Sequence, residues 1–238
     1  MIIKKPYTLT EIVKLTPLVS SFKFKAQDGT EIDFVPGMFA MLQYKDPNTG
    51  EEIARAFSIA NPPPSAELEF LIALIHGKFT SKLDTAKVGD LYYVSAPYGQ
   101  FKFDINSGSK FLFVAGGTGL APFLSMLRGV EKNGQKIDCK MVYSVRYPDE
   151  VINKEELLEM EARMGMKTTV TVTRPKEGDG WTGEKGHVDA NMMLRSVPDL
   201  KDRVSYVCGP PAFVKAVKDG LLSLGVEERS IHAEMWGE

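Results

Sequence analysis

Two glycine-rich turns in the C-terminal half have the composition of phosphate-binding turns. Gly116-Gly117-Thr118-Gly119-Leu120-Ala121-Pro122 lies between an apolar strand-like run and a helical pattern, and Cys208-Gly209-Pro210-Pro211 also separates a strand from a helix. Glycine lets a ligand approach the backbone, and amides at a helix start attract anions. Two such turns at the carboxyl ends of strands in one parallel sheet would border one crevice. The alternatives are a plain tight turn at the first and, for Cys208, a small buried side chain.

The first turn departs from the Gly-x-Gly-x-x-Gly dinucleotide fingerprint. Counted from Gly117, the third glycine of that pattern is replaced by Pro122, where helix entry is expected. The turn alone therefore leaves dinucleotide binding and simple chain reversal both open.

The N-terminal half carries a second set of anion-binding residue types. Arg55-Ala56-Phe57-Ser58 combines a fixed cation, an aromatic ring and a hydroxyl, and in a strand Arg55 and Phe57 share one face while Ser58 points to the other. In His76-Gly77-Lys78-Phe79-Thr80-Ser81, glycine and hydroxyl residues open a short helix and supply a cluster of amides. A diphosphate would need such a cation and helix start. The alternatives are a surface ion pair at Arg55 and a simple N-cap at Thr80-Ser81.

The elements that must hold these residues change character near residue 106. Residues 7 to 104 consist of short β segments, interrupted by a helical stretch at 80–86 and a rigid loop at Asn61-Pro62-Pro63-Pro64, and this spacing predicts an antiparallel β-barrel domain over 1–106. Beyond it, apolar strands alternate with helices, which predicts an α/β domain with a parallel sheet over 107–238. The predicted strands are 110–115, 137–145, 168–174, 204–208 and 231–235, and the predicted helices are 121–132, 154–164 and 212–224.

Composition excludes several classes of protein. The 238 residues are 43% hydrophobic and 25% charged, with 29 basic and 31 acidic side chains, so a dedicated nucleic-acid binder is disfavoured. No signal peptide opens the chain, and the longest apolar run, 70–75, is too short for a membrane span, so we expect a soluble cytoplasmic protein. Two cysteines are too few for a disulfide framework, a four-cysteine zinc site or a cysteine-ligated iron–sulfur cluster, and no metal site is expected.

The order of the motifs resembles the ferredoxin-NAD(P) reductase superfamily over nearly the whole chain. The motifs described above are joined in that resemblance by Ala96-Pro97-Tyr98-Gly99-Gln100-Phe101 and by Glu234-Met235-Trp236. The ending looks like bacterial-type ferredoxin reductases, whereas 181–188 looks like the NADH-using reductases of multicomponent oxygenases. The subfamily stays open.

The resemblance implies that the barrel holds FAD. Arg55 would bind the FAD diphosphate, Phe57 would lie beside the isoalloxazine, and Ser58 would lie near flavin N5. Ala56, which stands between Arg55 and Phe57 in the motif, would also contact the cofactor. The turn at His76, with Gly77, Lys78, Phe79, Thr80 and Ser81, would give amides and hydroxyls to the same diphosphate.

The resemblance also implies a pyridine-nucleotide site in the α/β domain. The NAD(P) diphosphate would contact Gly116, Gly117, Thr118, Gly119 and Pro122. The nicotinamide would lie against Cys208, Gly209 and Pro210. Glu234 would orient the nicotinamide or the Ser58 hydroxyl, with an exposed terminal carboxylate as the alternative. Trp236 would stack on the flavin face that receives the nicotinamide, with ordinary packing as the alternative; Gly237 and Glu238 follow it.

The choice between NADH and NADPH is left open. Arg146 and Arg174 follow the second and third strands of the α/β domain and are placed to bind a 2′-phosphate. Glu184, however, stands where the NADP pattern has an arginine, and a carboxylate beside a phosphate is unfavourable.

The implied activity is FAD-dependent oxidoreduction. Hydride would pass between NAD(P)H and FAD, and single electrons between FAD and an external carrier, either ferredoxin or another one-electron protein. The alternatives are an electron-transfer subunit of a larger complex, a multicomponent oxygenase reductase, or a non-enzymatic nucleotide-binding module.

Overall fold

The computed structural model describes residues 2–47, 49–75 and 77–236, and the chain forms two compact units. The N-terminal unit comprises Met1–Phe103 and Ala121–Lys132, and the C-terminal unit comprises Asp104–Leu120 and Asn133–Glu238. The domain boundaries expected from the sequence, 1–106 and 107–238, stay a prediction.

The N-terminal unit is built on a curled antiparallel sheet. Its strands are β1 (Ile3–Lys14), β2 (Val19–Ala26), β3 (Phe39–Lys45), β4 (Glu52–Ser58), β5 (Glu67–Ala73) and β6 (Leu91–Tyr98), in the order β4-β3-β6-β1-β2-β5. A bridge between Ile59 and Phe70 and a 2.9 Å hydrogen bond from the Ala60 amide to the Glu69 carbonyl join the outer strands at one point. The antiparallel barrel-like fold predicted for this half is therefore confirmed.

Alternate residues of these strands fill the sheet's concave side. Phe24 lies at the centre of that cluster, with ring centroids 5.9 Å from Phe70 and 5.1 Å from Tyr92. Period-two burial of large aromatic and aliphatic side chains is what a half-buried strand requires. This core provides the rigid base on which β4 presents its side chains.

Two helices belong to the N-terminal unit. Helix α1 (Lys78–Asp84) buries Phe79 and Leu83 in the barrel core. Helix α2 (Ala121–Lys132) is tied to the loop before β5 by hydrogen bonds from Ser125 Oγ to the Asn61 carbonyl (2.8 Å) and from Arg128 to the Ala60 carbonyl (3.0 Å). An Arg128–Glu69 ion pair of 2.7 Å adds to this attachment.

The C-terminal unit is a parallel sheet with helices. Its strands are β7 (Lys110–Gly116), β8 (Asp138–Val145), β9 (Lys167–Val172), β10 (Glu184–Lys185), β11 (Val204–Gly209) and β12 (Ile231–Met235), in the order β10-β9-β8-β7-β11-β12. The helices are α3 (Lys154–Met164), α4 (Ala190–Ser196) and α5 (Pro211–Ser223). The predicted parallel α/β fold is confirmed.

The strand order creates a switch point between β7 and β11. From β7 the chain runs outward to β8, β9 and β10, and then returns to the other side of β7 as β11 and β12. Open α/β sheets bind ligands at the carboxyl ends of the strands at such a point. Both glycine turns follow these two strands.

Several element boundaries differ from the predictions. Helix α1 begins at Lys78 rather than at 80, because the Gly77 amide donates to Thr80 Oγ1 at 2.9 Å and the helix therefore starts immediately after Gly77. Strand β10 and helix α4 were not predicted. Strand β10 has only two residues, and α4 is a short helix whose N-cap, Asp189, accepts from the Met192 amide at 2.7 Å.

Among the described residues, every helix falls short of the length and apolarity that a membrane crossing requires.

A buried cation holds the amino-terminal edge of the parallel sheet. Arg203 is 2% exposed and donates to Asp199, to Asp138 and to the Phe111 carbonyl. The hydrogen bond from Arg203, helped by Lys140 and Lys110 and opposed by burial, lowers the pKa of the Asp199 carboxyl well below its usual 3.8. A buried guanidinium is stabilising only while its carboxylates are ionised.

We therefore expect Asp199→Asn to destabilise the protein by about 2 kcal/mol at neutral pH, since a buried charge loses one of its two partners. A carboxyl whose folded pKa is depressed stabilises the fold above its unfolded pKa and loses that contribution as pH falls through the folded value. The stability gap between wild type and variant should thus be full near pH 7 and shrink as the pH falls below 3.8 in urea unfolding. Asp202→Asn, at an exposed neighbouring position, is the control; a pH-independent gap would contradict this account.

Candidate functional site

The Arg55–Ser58 motif and the Gly77–Ser81 turn lie together in the N-terminal unit. The Phe57 ring packs between Phe70, at 6.3 Å, and Phe79 of α1, at 5.7 Å. Tyr44 supports the same contact, with its ring 5.4 Å from Phe79 and its hydroxyl donating to the Lys78 carbonyl at 3.3 Å. The core packing of two aromatic residues therefore places the start of α1 beside β4.

Arg55 presents a cation on β4, two residues before the Phe57 ring that packs against α1. Its side chain is exposed and donates to the neighbouring Ala54 carbonyl at 2.9 Å, and among the described residues it has no carboxylate partner. The surface ion pair considered for Arg55 is thus not present in that part of the chain. The guanidinium keeps most of its five donors for an anion.

The opening of α1 supplies backbone donors. Thr80 Oγ1 accepts the Gly77 amide and donates to the Gly77 carbonyl, and the first intrahelical bond runs from Ser81 N–H to the Gly77 carbonyl at 2.8 Å. The amides that precede this bond have no partner within the helix. Lys78 forms an ion pair with Glu51, so its charge is already balanced within the protein. His76, the first residue of the predicted motif, lies outside the described residues.

Ala56 and Ser58 occupy the alternate face of β4. Ala56 is exposed and pairs with Met41 of β3, and Ser58 pairs with Phe39. Phe39 in turn stacks on Tyr98 with centroids 5.6 Å apart and an interplanar angle of 17°. Ala56 and Ser58 therefore lie on β4, whose neighbour β3 is held in place by the stacking of Phe39 on Tyr98.

In the C-terminal unit, the two glycine turns are in direct contact. A Cβ on Gly119 would lie 2.3 Å from the Cys208 carbonyl oxygen and 2.9 Å from the Gly209 nitrogen. Only glycine permits this approach. The two turns that were predicted to border one crevice therefore lie against each other at the carboxyl edge of the sheet; that they bind a ligand there stays a prediction.

The three glycines of the first turn serve different purposes. Only Gly117 has a positive φ, +56°, and it begins the 3₁₀ turn Gly117–Leu120 that contains Thr118. Gly116 does not have a positive φ, but a Cβ there would overlap the Phe213 ring. Pro122 lies in the first turn of α2, where a missing amide costs no hydrogen bond.

Phe213 is the side chain that sequence reasoning missed. A Cβ on Gly116 would lie 2.9 Å from Phe213 Cδ1, and a Cβ on Gly209 would lie 2.7 Å from the same atom. Phe213 stands in the first turn of α5, after Pro210 at the N-cap. The sequence shows a bulky residue four positions after Gly209, but it does not show that the Phe213 ring packs over Gly116 on another strand.

Cys208 and Glu234 are register partners on β11 and β12. Cys208 is fully buried, and burial, with a further contribution from the charge of Glu234, raises the pKa of its thiol. Burial also raises the pKa of the Glu234 carboxyl. A thiol held in its neutral form is a packing and positioning group rather than a nucleophile.

Trp236 follows β12 beside the second turn. Its amide donates to the Gly209 carbonyl at 3.2 Å, and the side chain is 36% exposed. Stacking on a flavin stays a prediction, and Gly237 and Glu238 lie outside the described residues.

Arg146 and Arg174 follow neighbouring strands of the parallel sheet. The Arg174 amide donates to the Arg146 carbonyl at 2.8 Å, and both side chains are exposed. Within the described ranges, neither guanidinium has a side-chain partner. Glu184, on β10, forms an ion pair with Arg195 at 3.3 Å. Two exposed cations thus lie at this edge. Of the carboxylates near them, Glu184 pairs with Arg195, and Glu150 accepts the Arg146 amide at 3.1 Å.

No group of three or more His, Cys, Asp or Glu side chains in the described part of the chain is arranged to hold a metal ion.

The contact between Gly116 and Phe213 predicts a coupled substitution. Gly116→Ala should destabilise the protein by about 1–3 kcal/mol, because the new methyl group overlaps the ring. The same change in a Phe213→Ala background should cost at least about 1 kcal/mol less, since the overlap is gone. A double-mutant cycle in urea measures this coupling.

Gly129→Ala is the matched control, because its Cβ would meet Pro36 Cγ at 3.5 Å and Pro62 Cβ at 3.9 Å, both ordinary van der Waals distances. Additive effects of the Gly116 and Phe213 substitutions would contradict the contact.

Two family models match consecutive parts of the chain. The model described as an oxidoreductase FAD-binding domain matches residues 6–103, and the model described as an oxidoreductase NAD-binding domain matches residues 113–219.

Two relatives and one solved structure illustrate the similarity. A glycine betaine monooxygenase reductase subunit of Chromohalobacter salexigens is 30% identical over 233 residues, which cover 95% of this chain and 62% of the relative. Ferredoxin--NADP reductase B of Sorangium cellulosum is 28% identical over 241 residues, which cover 96% of each. The FAD/NAD-binding domain of nitric oxide dioxygenase from Vibrio cholerae has the same fold, with a TM-score of 0.89, 21% identity and coverage of 98% of this chain and 99% of that one.

The chain spans 62–63% of the length of the first curated relatives that it matches.

The side chains and turns on each unit fit the groups that these families bind. An exposed guanidinium on the strand that packs against α1 suits the FAD diphosphate, and a positive-φ glycine turn packed on a second turn at the switch point suits a dinucleotide diphosphate. By its fold and its two consecutive family matches, the chain belongs to the ferredoxin-NAD(P) reductase superfamily and carries an FAD-binding and an NAD-binding domain.

Proposed function

We propose that the chain is an oxidoreductase that takes electrons from NAD(P)H and delivers them one at a time to an external carrier. The observation that carries the proposal is the pair of anion-binding arrangements, one at β4 and α1 and one at the β7–β11 switch point, each within the segment that matches the corresponding cofactor family. FAD, when bound, supplies the exchange between two-electron and one-electron chemistry.

In the N-terminal unit, we assign the FAD diphosphate to Arg55 and the first amides of α1. Arg55 offers a fork of donors with no carboxylate competing for it among the described residues. Gly77 sets the start of the helix, and Thr80, which bonds to both the amide and the carbonyl of Gly77, holds that start in shape. Phe57 has one side against Phe70 and Phe79 and remains half-buried, which leaves part of its surface for an isoalloxazine ring.

In the C-terminal unit, Gly117, Thr118 and Gly119 are assigned to the coenzyme diphosphate and Cys208, Gly209 and Pro210 to the nicotinamide. The buried neutral thiol of Cys208 presents no charge to the ring, so its contribution is steric positioning. The raised pKa of Glu234 lets its carboxyl hold a proton at Oε over a wider pH range than an exposed glutamate does.

The external carrier is proposed to be a ferredoxin or an oxygenase component. The Sorangium relative is named a ferredoxin–NADP reductase, and other relatives are named reductase subunits or components of oxygenase systems. These names support both classes of acceptor. A net charge of −2 supplies little long-range steering, so recognition would depend on a local patch.

The purified protein should be yellow and should bleach on anaerobic titration with NADH or NADPH. Turnover should then follow with ferricyanide and with ferredoxin as acceptors. Arg55→Ala should lower the affinity for FAD by about 10- to 100-fold, because a charge-assisted hydrogen bond to a phosphate contributes about 1.5–3 kcal/mol. FAD retention on gel filtration and fluorescence titration measure this loss.

Lys25→Ala is the control, since it removes an exposed cation from β2 of the same unit. A colourless protein that does not take up FAD would contradict the proposal and favour a nucleotide-binding module without redox activity.

We infer a preference for NADPH from the arginines at the edge of the parallel sheet. Arg146 and Arg174 lie beside one another with unpaired guanidinium groups among the described residues, while Glu184 is engaged by Arg195. A 2′-phosphate would accept hydrogen bonds from these arginines, and NADH offers no such group.

Arg146→Ala should therefore reduce kcat/KM for NADPH by about 10- to 100-fold while changing the value for NADH little. Arg229→Ala, which removes an exposed arginine paired with Glu227, is the control. Steady-state rates with ferricyanide measure the change, and a wild-type enzyme that favours NADH would refute the inference.

A further inference from the structure

The ring of Phe213 occupies the space that side chains on Gly116 and Gly209 would need. Its Cδ1 atom lies 2.9 Å from an ideal Cβ on Gly116 and 2.7 Å from one on Gly209, and the Cβ of Gly209 would also lie 3.3 Å from Gly116 Cα. One aromatic edge therefore rests on the ends of both strands of the switch point. Both glycines are needed for this ring, independently of any ligand.

Strand periodicity explains why the ring meets these two positions. Gly116 has the same parity on β7 as Leu112 and Val114, and Gly209 has the same parity on β11 as Val207. Those apolar residues form one cluster with Val214, Val217 and Leu221 of α5. Phe213 continues this interface to the carboxyl edge of the sheet.

Burial distinguishes Phe213 from the rest of α5. Val214, Val217 and Leu221 are fully buried, whereas Phe213 is half-buried although it packs on the same cluster. The accessible part of the Phe213 ring lies at the carboxyl end of the sheet, where open α/β sheets bind ligands, and the ring packs over both glycine positions there. A residue that served only the core would be fully buried, as Val214, Val217 and Leu221 are.

We propose that Phe213 is a positioning residue for the pyridine nucleotide: its ring packs over both Gly116 and Gly209 and holds the backbone of the two turns in the arrangement that receives the coenzyme. This inference rests on the proposed function for the assignment of the crevice to NAD(P). The ring acts through the backbone, because Gly116 leads directly into the Gly117–Leu120 turn and Gly209 into the start of α5.

Gly119 adds a second close contact between the two turns. A Cβ on Gly119 would lie 2.3 Å from the Cys208 carbonyl oxygen, so the two backbones are already in contact there. The Phe213 ring and this backbone contact together hold the two turns in position before a ligand binds. Preorganised donors lower the cost of ordering on binding.

The test compares Phe213→Leu with Leu224→Ala in the full-length, FAD-loaded protein. Leu224 is partly buried against the same cluster but lies at the C-terminal end of α5, away from both turns. The Kd values for NADP+ and for NAD+ are measured by calorimetry, the FAD content by absorbance, and the melting temperature by scanning calorimetry.

We expect Phe213→Leu to raise the Kd of the preferred coenzyme about tenfold, with FAD content unchanged, whereas Leu224→Ala lowers only the melting temperature. Phe213→Tyr, which keeps the ring, should restore the wild-type Kd. Equal Kd values for wild type, Phe213→Leu and Leu224→Ala would overturn the proposal. If the leucine variant does not fold, Phe213→Met provides the same comparison.

The outcomes separate this proposal from the proposed function. A wild-type protein that binds coenzyme without oxidising it would refute the redox assignment, while the Kd comparison would still decide the role of Phe213. A wild-type protein that binds neither NADP+ nor NAD+ would overturn both.

Discussion

Close backbone approach at the β7–β11 switch point is the constraint on which the candidate coenzyme site depends. Gly119 lies against the Cys208 carbonyl, where a Cβ would overlap backbone atoms, and a Cβ on Gly116 or Gly209 would overlap the Phe213 ring. These contacts join two separate turns into one surface at the carboxyl ends of the strands, where open α/β sheets bind ligands. The coenzyme diphosphate proposed for this unit would bind there.

The N-terminal unit reaches a similar result through side-chain packing. Phe57, Phe70 and Phe79 form a continuous aromatic contact, and this contact fixes the start of α1 beside β4. Arg55 is then left on the surface of a rigid strand with only a backbone carbonyl as its partner among the described residues. A cation held in this way loses little conformational freedom when it binds an anion.

Electrostatics differ between the two edges of the parallel sheet. At the amino-terminal edge, the buried Arg203 donates hydrogen bonds to Asp138, Asp199 and backbone carbonyls, so its charge is neutralised within the protein. At the carboxyl edge, Arg146 and Arg174 are exposed. The same residue type therefore stabilises the structure at one edge and remains available for a ligand at the other.

The sequence by itself determined the order of the longer elements and the positions of the two candidate anion-binding motifs. The bounds of α2, α3 and β12 agree with the predictions because strong apolar periodicity and clear turn residues frame them. Short elements such as β10 and α4 were missed, since two to seven residues carry too little periodicity to stand out from loops. Only the tertiary structure decided why Gly116 is a glycine, that Cys208 is buried, and that Arg195 engages Glu184. These features depend on contacts between residues that are distant in the chain, and local patterns of residue type do not show which distant residues come into contact.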